Sequence, residues 1–311
     1  MSYSIEEIKD SIAYCGLVCK LCSAGNTGKC KECRERCEGC SIKECGKTRN
    51  INGCWECNEF PCDERMFKNR KNRAFVQCAK EEGVQKLAKY LKKSFDRGIN
   101  YHNEDGTPGD YDSLDSEYEI LQLLRKKEKP YESCPTYQSK RFIFRMVEEK
   151  DGEDLLECYS DTESNKLFNS DNCTSNFVYK SLVEMNNCIK FWIDQYHSKY
   201  FVRFSITDKL HNKAIGTIEF FAKEVSYNEI LKVGVLRLDL ASKYENEEAI
   251  VEILDIVNNN FYDDFEVKHI ITKAIPVAKQ RVTALKKEGF IELENKTIVP
   301  FDSYLIRDKH V

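Results

Sequence analysis

The residues with the plainest chemical capacity are eleven cysteines between Cys15 and Cys62, out of sixteen in the chain. They run Cys15-x3-Cys19-x2-Cys22, Cys30-x2-Cys33-x3-Cys37-x2-Cys40, Cys45, and Cys54-x2-Cys57-x4-Cys62. A CxxC turn aims two sulfurs at one point about 2.3 Å from a zinc ion, and two such turns complete a tetrahedron. Four near-CxxC units therefore offer thiolates for two sites, and no histidine precedes His102 to share the task. All-sulfur ligation suits zinc or an iron–sulfur cluster. The chain opens on Met1-Ser-Tyr-Ser-Ile-Glu-Glu, without the basic and then apolar stretches of an export signal. No run approaches the roughly 18 apolar residues of a membrane span. A reducing cytoplasm, where such thiols hold metal rather than pair as disulfides, is the expected setting.

Between the two metals, zinc is the expectation and an iron–sulfur cluster the alternative. The Cys15-x3-Cys19-x2-Cys22 spacing is also that of radical S-adenosylmethionine enzymes, but no run of β/α repeats follows to support that chemistry. CxxC pairs set between short polar loops instead make closed structural zinc sites. The block resembles a short cysteine-rich domain of unknown function found in bacterial and archaeal proteins. Tyr14-Cys15-Gly16-Leu17-Val18-Cys19-x2-Cys22, Cys37-x2-Cys40 and Gly53-Cys54-x2-Cys57-Asn58-Glu59-Phe60-Pro61-Cys62 carry the likeness, while Cys30 and Cys33 are additions to it. That domain brings no activity with it.

At 311 residues the chain has room for two domains, each with a core of its own. Through Pro135 it carries 24 basic and 23 acidic residues, and beyond that point 24 and 29, so neither half is a basic footprint for nucleic acid. The one basic run, Arg65, Lys68, Arg70, Lys71 and Arg73, reads as a solvated helix face.

Past the cysteines the apolar residues fall into helical steps. Val84, Leu87, Ala88, Leu91 and Phe95 form one stripe, and Leu114, Tyr118, Leu121 and Leu124 a second, separated by the breakers Gly106, Pro108 and Gly109. Residues 130–135, bounded by two prolines, read as a linker between a domain over 1–129 and one over 136–311. The second domain alternates strands and helices. Strands are expected over 141–147, 201–207, 214–221, 233–240, 269–272, 291–293 and 303–307. Helices are expected over 153–159, along the stripe Val178, Leu182, Met185, Ile189, Trp192, Ile193 and Tyr196, and around Ile250, Ile253, Leu254 and Val257. A last one begins near Pro276 and stops at Gly289.

That order is similar to the general-control-related N-acetyltransferase (GNAT) family over residues 140–308, in the branch of the ribosomal-protein N-terminal acetyltransferases. Arg145-Met-Val-Glu, Asp154-Leu-Leu-Glu-Cys-Tyr-Ser-Asp, Ile215-Gly216-Thr217-Ile218, the stretch from Leu240 to Leu254, and Lys286-Lys-Glu-Gly-Phe290 carry the resemblance. It implies a mixed α/β fold of the α+β kind. A small metal-binding domain with a helical extension would precede a mixed, mostly antiparallel sheet flanked by helices. It also implies acetyl-CoA as cofactor, lying where the fourth strand splays from the fifth, and an amine acceptor, either a small molecule or a protein N-terminus.

The resemblance places the pyrophosphate loop at residues 244–249, where a helix N-terminus attracts negative charge. Leu240, Ala241, Asn246, Glu247, Glu248 and Ala249 are the corresponding contacts. Asn246 and Glu248 stand where the family has glycines. Asn tolerates positive φ, whereas Glu248 adds bulk and charge. Glu245, Glu247 and Glu248 give the loop three carboxylates and, beyond Lys243, no local cation, which predicts weakened CoA binding; Glu245 and Glu247 are expected to turn to solvent. Ala278 and Arg281 replace an Asn and a Ser of the branch, and Leu285 stands where many members carry a Tyr as general acid toward the leaving thiolate. Lys279 and Arg281 are candidates for replacement phosphate contacts.

Acyl transfer to an amine needs a base or a water chain for the ammonium proton and a donor for the carbonyl. Glu219 and Asp239 are the candidate catalytic carboxylates, against the plainer reading of each as an ordinary strand residue. Two functions stay open: an acyl-CoA-dependent N-acyltransferase with a metal-stabilised appendage, or a non-catalytic binding or sensing protein on a GNAT fold that has lost its cofactor loop.

Overall fold

The computed structural model describes residues 3–23, 33–34, 39–103, 105, 107–174, 177–227, 229–295 and 297–309. The chain forms two compact units, Met1–Lys126 and Lys127–Val311. No described helix is long and apolar enough to cross a membrane.

In the first unit, α1 (Ile5–Asp10) starts where Ser4 Oγ accepts from the Glu7 N–H and the Glu7 carboxylate accepts from the Ser4 N–H. Helix α2 (Ser41–Thr48) carries Cys45. Helices α3 (Arg70–Glu82) and α4 (Val84–Asp96) are joined by Gly83 alone, whose φ of 90° lets the chain reverse there. Leu87, Ala88 and Leu91 of the expected stripe are buried against Phe75, Val76 and Ile8, with Val84 and Phe95 at the margin.

Helix α5 (Glu117–Arg125) differs from its expected stripe. Ser116 caps it, so Leu114 lies outside the helix, and the buried step is Ile120–Leu124 while Tyr118 faces solvent. The basic run is also not uniformly solvated. Lys71 is buried, donating to Asp112 Oδ2 at 2.6 Å, to the Tyr101 carbonyl at 3.3 Å, and standing 3.2 Å from His102 Nε2. Burial, opposed by Asp112, lowers the Lys71 pKa, and burial together with Lys71 lowers that of His102.

The second unit is built on one sheet of β1 (Tyr137–Gln138), β2 (Phe142–Met146), β3 (Val202–Asp208), β4 (Lys213–Tyr227), β5 (Glu229–Leu240), β6 (His269–Lys273), β7 (Ile291–Glu292) and β8 (Tyr304–Asp308). Its spatial order is β1-β2-β3-β4-β5-β6-β8-β7, antiparallel throughout except for the β5–β6 pair. Helices α6 (Gly152–Ser160), α7 (Thr162–Asn165) and α8 (Leu182–His197) fall between β2 and β3. Helix α9 (Glu247–Asp264) follows β5, and α10 (Lys279–Lys287) follows β6. The expected mixed, mostly antiparallel sheet and its element order are therefore present. Strands β4 and β5 run further than expected, pairing out to Tyr227 and Glu229.

Both faces of β3 are buried, and they differ in kind. Val202, Phe204 and Ile206 join Phe220, Leu236 and the α9 residues Ile253, Leu254 and Phe261 in an aliphatic and aromatic core. The alternate residues Arg203, Ser205 and Thr207 point to the other face, and all three are buried as well. At the end of this sheet Gly216 sits opposite Leu240, and a Cβ there would come 2.1 Å from the Asp239 carbonyl oxygen, so only glycine lets the strands approach.

Tyr131 and Cys134, in the stretch expected as linker, pack against the core of the second unit, with the Tyr131 hydroxyl accepting from the Ala222 N–H at 3.1 Å.

Candidate functional site

Strand register brings the polar residues of the second face into two rows. Arg203 lies opposite Glu219, which lies opposite Arg237; Ser205 lies opposite Thr217, which lies opposite Asp239. Arg203 is fully enclosed. Its Nη2 bonds Glu219 Oε2, and its Nη1 donates to Thr217 Oγ1 at 2.9 Å, Asp239 Oδ2 at 3.2 Å and the Tyr159 hydroxyl at 3.2 Å. The Tyr159 hydroxyl in turn donates to Asp239 Oδ2 at 2.7 Å, and the Trp192 ring lies 4.1 Å from the guanidinium carbon. Arg237 Nη1 donates to the remaining oxygen of Glu219 at 2.8 Å. Burial raises the Asp239 pKa, with Arg203 and the Tyr159 hydroxyl opposing it.

Glu219 and Asp239, the two carboxylates picked from sequence, are thus brought together with one guanidinium between them. Sequence reasoning missed Arg203, Arg237 and Tyr159. The signal was available in strand parity: 203, 217, 219, 237 and 239 fall on one face of three neighbouring strands.

Beside this network lies a cavity of about 1020 Å³. Strands β3 to β6 supply one wall through Arg203, Phe221, Arg237 and Ile271, and α8 with residues 172–174 and 177–179 supplies the other through Trp192 and Phe177. That second wall is tied to the sheet. Arg237 Nη2 donates to the Asp171 carbonyl at 2.7 Å, Lys273 Nζ to the Asp171 carboxylate at 2.8 Å, and Asn169 Nδ2 to the Tyr304 hydroxyl at 2.9 Å.

The cavity reaches the point where the sheet opens. Strand β5 pairs with β6 only over Val233–Leu236, and its last residues, from Arg237 to Leu240, pair with β4 alone. This is the splay that the resemblance implies.

The loop beyond the splay is electrically balanced, which differs from the local sequence reading. Glu245 is buried and receives both Arg281 Nε at 2.7 Å and Nη2 at 2.8 Å. Glu247 is within 3.0 Å of Lys287 and Glu248 within 3.4 Å of Arg141. The three cations come from α10 and the start of β2, out of reach of any local scan. Glu245 does not turn to solvent because Arg281, itself buried, needs a counter-charge.

The helix N-terminus is also occupied. Asn246 caps α9, its Oδ1 accepting from the Ala249 N–H at 3.0 Å, and the Glu247 N–H donates to Gln280 Oε1 at 3.2 Å. Leu240 and Ala249 are core residues, Ala241 donates to the Ile215 carbonyl at 2.9 Å, and Lys279 is exposed at the start of α10.

In the first unit, Cys45 of α2, Cys54 and Cys57 at the two ends of a single helical turn, and Cys62 line one small cavity of about 40 Å³. Burial, with Cys15, Cys62, Cys57 and Cys45 adding to it, pushes the Cys54 thiol up to about 12. Cys15 is buried near Cys40 and Cys19, and Cys19 Sγ accepts from the Cys33 N–H at 3.5 Å. Cys22 borders the same core. Cys30 and Cys37 lie outside the described residues. Among the described residues no three His, Cys, Asp or Glu side chains are grouped so as to hold a metal ion.

No protein-family model matches the chain, and no curated protein does. Solved structures do. A GNAT-family acetyltransferase from Bacillus anthracis is 18% identical with a TM-score of 0.43, covering 56% of this chain and 98% of its own. Mycobacterium smegmatis RimJ, in complex with CoA-disulfide, is 12% identical with a TM-score of 0.43, over 54% and 81%. The ribosomal-protein-S5-alanine acetyltransferase of Vibrio fischeri is 13% identical with a TM-score of 0.39, over 56% and 96%. The likeness is one of fold.

Arg203→Met leaves Asp239 buried without its cation and Glu219 with Arg237 alone, and should lower unfolding free energy by about 3–5 kcal/mol in urea titrations. Replacing Asp239 by Asn in the same chain should restore most of it. A single Arg203→Met change without effect would contradict the network.

Proposed function

We propose that the second unit is an acyl-CoA-dependent N-acyltransferase, and the observation that carries this is the splay of β5 from β6 beyond Leu236 next to a ligand-sized cavity. Along residues 237–240 the side of β5 away from β4 has no strand partner and offers amide and carbonyl groups to the pantetheine arm, and the cavity gives an amine access to the thioester. Acetyl-CoA supplies the acyl group. Glu219 and Asp239 act in this reading as the counter-charges that fix Arg203 and the cavity wall, because both are engaged with arginine. The amine's proton then leaves to solvent. Arg281 serves Glu245 rather than a phosphate.

One observation favours the second reading, a non-catalytic binding protein. The Asn246 and Gln280 side chains already take N–H groups at the start of α9 that a pyrophosphate would use. Calorimetry with acetyl-CoA separates the two. The transferase reading expects micromolar binding, strengthened by Gln280→Ala, which frees the Glu247 amide. Absence of heat at millimolar acetyl-CoA would establish the alternative.

For the first unit the proposal is a structural zinc ion held by Cys45, Cys54, Cys57 and Cys62, with the other candidate thiolates Cys15, Cys19, Cys22, Cys30, Cys33, Cys37 and Cys40 available to a second. Four thiols around one small cavity are the right donors for zinc. Binding would draw them together and release their thiol protons. Metal analysis of anaerobically purified protein should find zinc. Cys45→Ser and Cys62→Ser should each remove about one equivalent, and Cys78→Ser, in α3, none. Iron with sulfide, or equal zinc in all three variants, would refute the assignment.

A further inference from the structure

The cavity beside the splay has a lining that selects among amines. Its walls are strongly aromatic, with Phe177, Trp192, Phe201 and Phe221 among them, and its volume of about 1020 Å³ suits a small organic molecule. Its charges are unequal in availability. Two carboxylates line it, Glu219 buried with both oxygens on arginine and Glu184 exposed with one oxygen on backbone N–H groups. Glu219 gives one oxygen to Arg203 and the other to Arg237. Glu184 accepts from the Lys180 N–H at 2.7 Å and the Ser181 N–H at 3.1 Å, capping α8.

Three cations line it too, and they differ in reach. Arg203 and Arg237 spend their Nη groups on the network and the cavity wall and their Nε atoms are enclosed, whereas Lys223 Nζ donates to the Ile298 carbonyl at 3.0 Å with two further protons to give. With both arginines compensated by Glu219 and Asp239, the cation left for a ligand carboxylate is Lys223.

Resting on the acyltransferase reading, we infer that the acceptor is a free amino acid with an aromatic side chain, whose ring fills the aromatic walls and whose own carboxylate faces Lys223. A protein N-terminus does not meet this demand, since its α-carboxylate is consumed in a peptide bond. In the transfer the amine nitrogen forms a bond to the thioester carbonyl carbon, the carbon–sulfur bond breaks, the ammonium proton goes to solvent, and the CoA thiolate takes up a proton. The products are an N-acyl amino acid and CoA.

Calorimetry on the full chain without acetyl-CoA tests the cavity separately from the chemistry. L-phenylalanine should bind, while phenethylamine, with the same ring and amine but no carboxylate, should bind at least about tenfold more weakly. The peptide Phe-Ala-Ala-Ala, with a free N-terminus, should bind as weakly as phenethylamine. Lys223→Met, at a half-buried position, should weaken L-phenylalanine and leave phenethylamine unchanged. Phenethylamine or the peptide binding as well as L-phenylalanine, or no binding by any of the three, would overturn the inference. If L-phenylalanine binds and acetyl-CoA does not, the cavity assignment holds and the transferase reading falls. If acetyl-CoA binds and is consumed only with other amines, the reverse is true.

Discussion

A guanidinium inside a protein sheet must be neutralised where it stands, and the second unit is arranged around meeting that demand at Arg203. Removing such an ion from water costs several kcal/mol even after relaxation. The cost is offset by Glu219 from β4 and Asp239 from β5, by the Thr217 and Tyr159 hydroxyls, and by the face of Trp192. The cation therefore specifies the register of β3, β4 and β5 together, since a one-residue slip would turn every partner to the opposite face. It also ties α6 and α8 to the sheet through Tyr159 and Trp192.

The same constraint defines the chemistry on offer. Glu219 and Asp239 are each bonded to arginine, so neither stands free in the cavity to draw in an ammonium. Arg237 extends the network to the edge of the splay and holds residues 171–173 as a cavity wall. A second buried guanidinium, Arg281, repeats the pattern at the loop by drawing in Glu245. The unit thus carries two internally compensated arginine sites on either side of the place where β5 leaves β6.

Local periodicity made much of this fold legible. The stripe of α4, the strands β3, β6 and β8 and the turn at Gly289 follow from spacing alone, because each buries its apolar face within a few residues of where its pattern begins. The misreadings had distant causes. Lys71 looks like a solvated charge until Asp112, about forty residues away, is seen to enclose it. The acidic loop looks repulsive until Arg141, Arg281 and Lys287 arrive from other elements. The α5 stripe was misplaced because the Ser116 cap, rather than the first leucine, sets where the helix begins. The cavity itself had no sequence signal, since its aromatic residues come from five separate elements and read singly as core. The cysteine spacing declared its chemistry openly but not its grouping, which depends on how α2 and the Cys54–Cys57 turn are brought together.

The opening between β5 and β6 is where the functional claim is most exposed, because its backbone is either a docking strip for a thioester ligand or simply a frayed edge. Amide hydrogen exchange followed by mass spectrometry, with and without saturating acetyl-CoA, distinguishes these directly. Entry of the ligand should slow exchange in peptides covering residues 237–241 and leave those of the first unit unchanged. Identical exchange across residues 237–241 in the two samples would contradict the assignment of this splay as an acyl-CoA site.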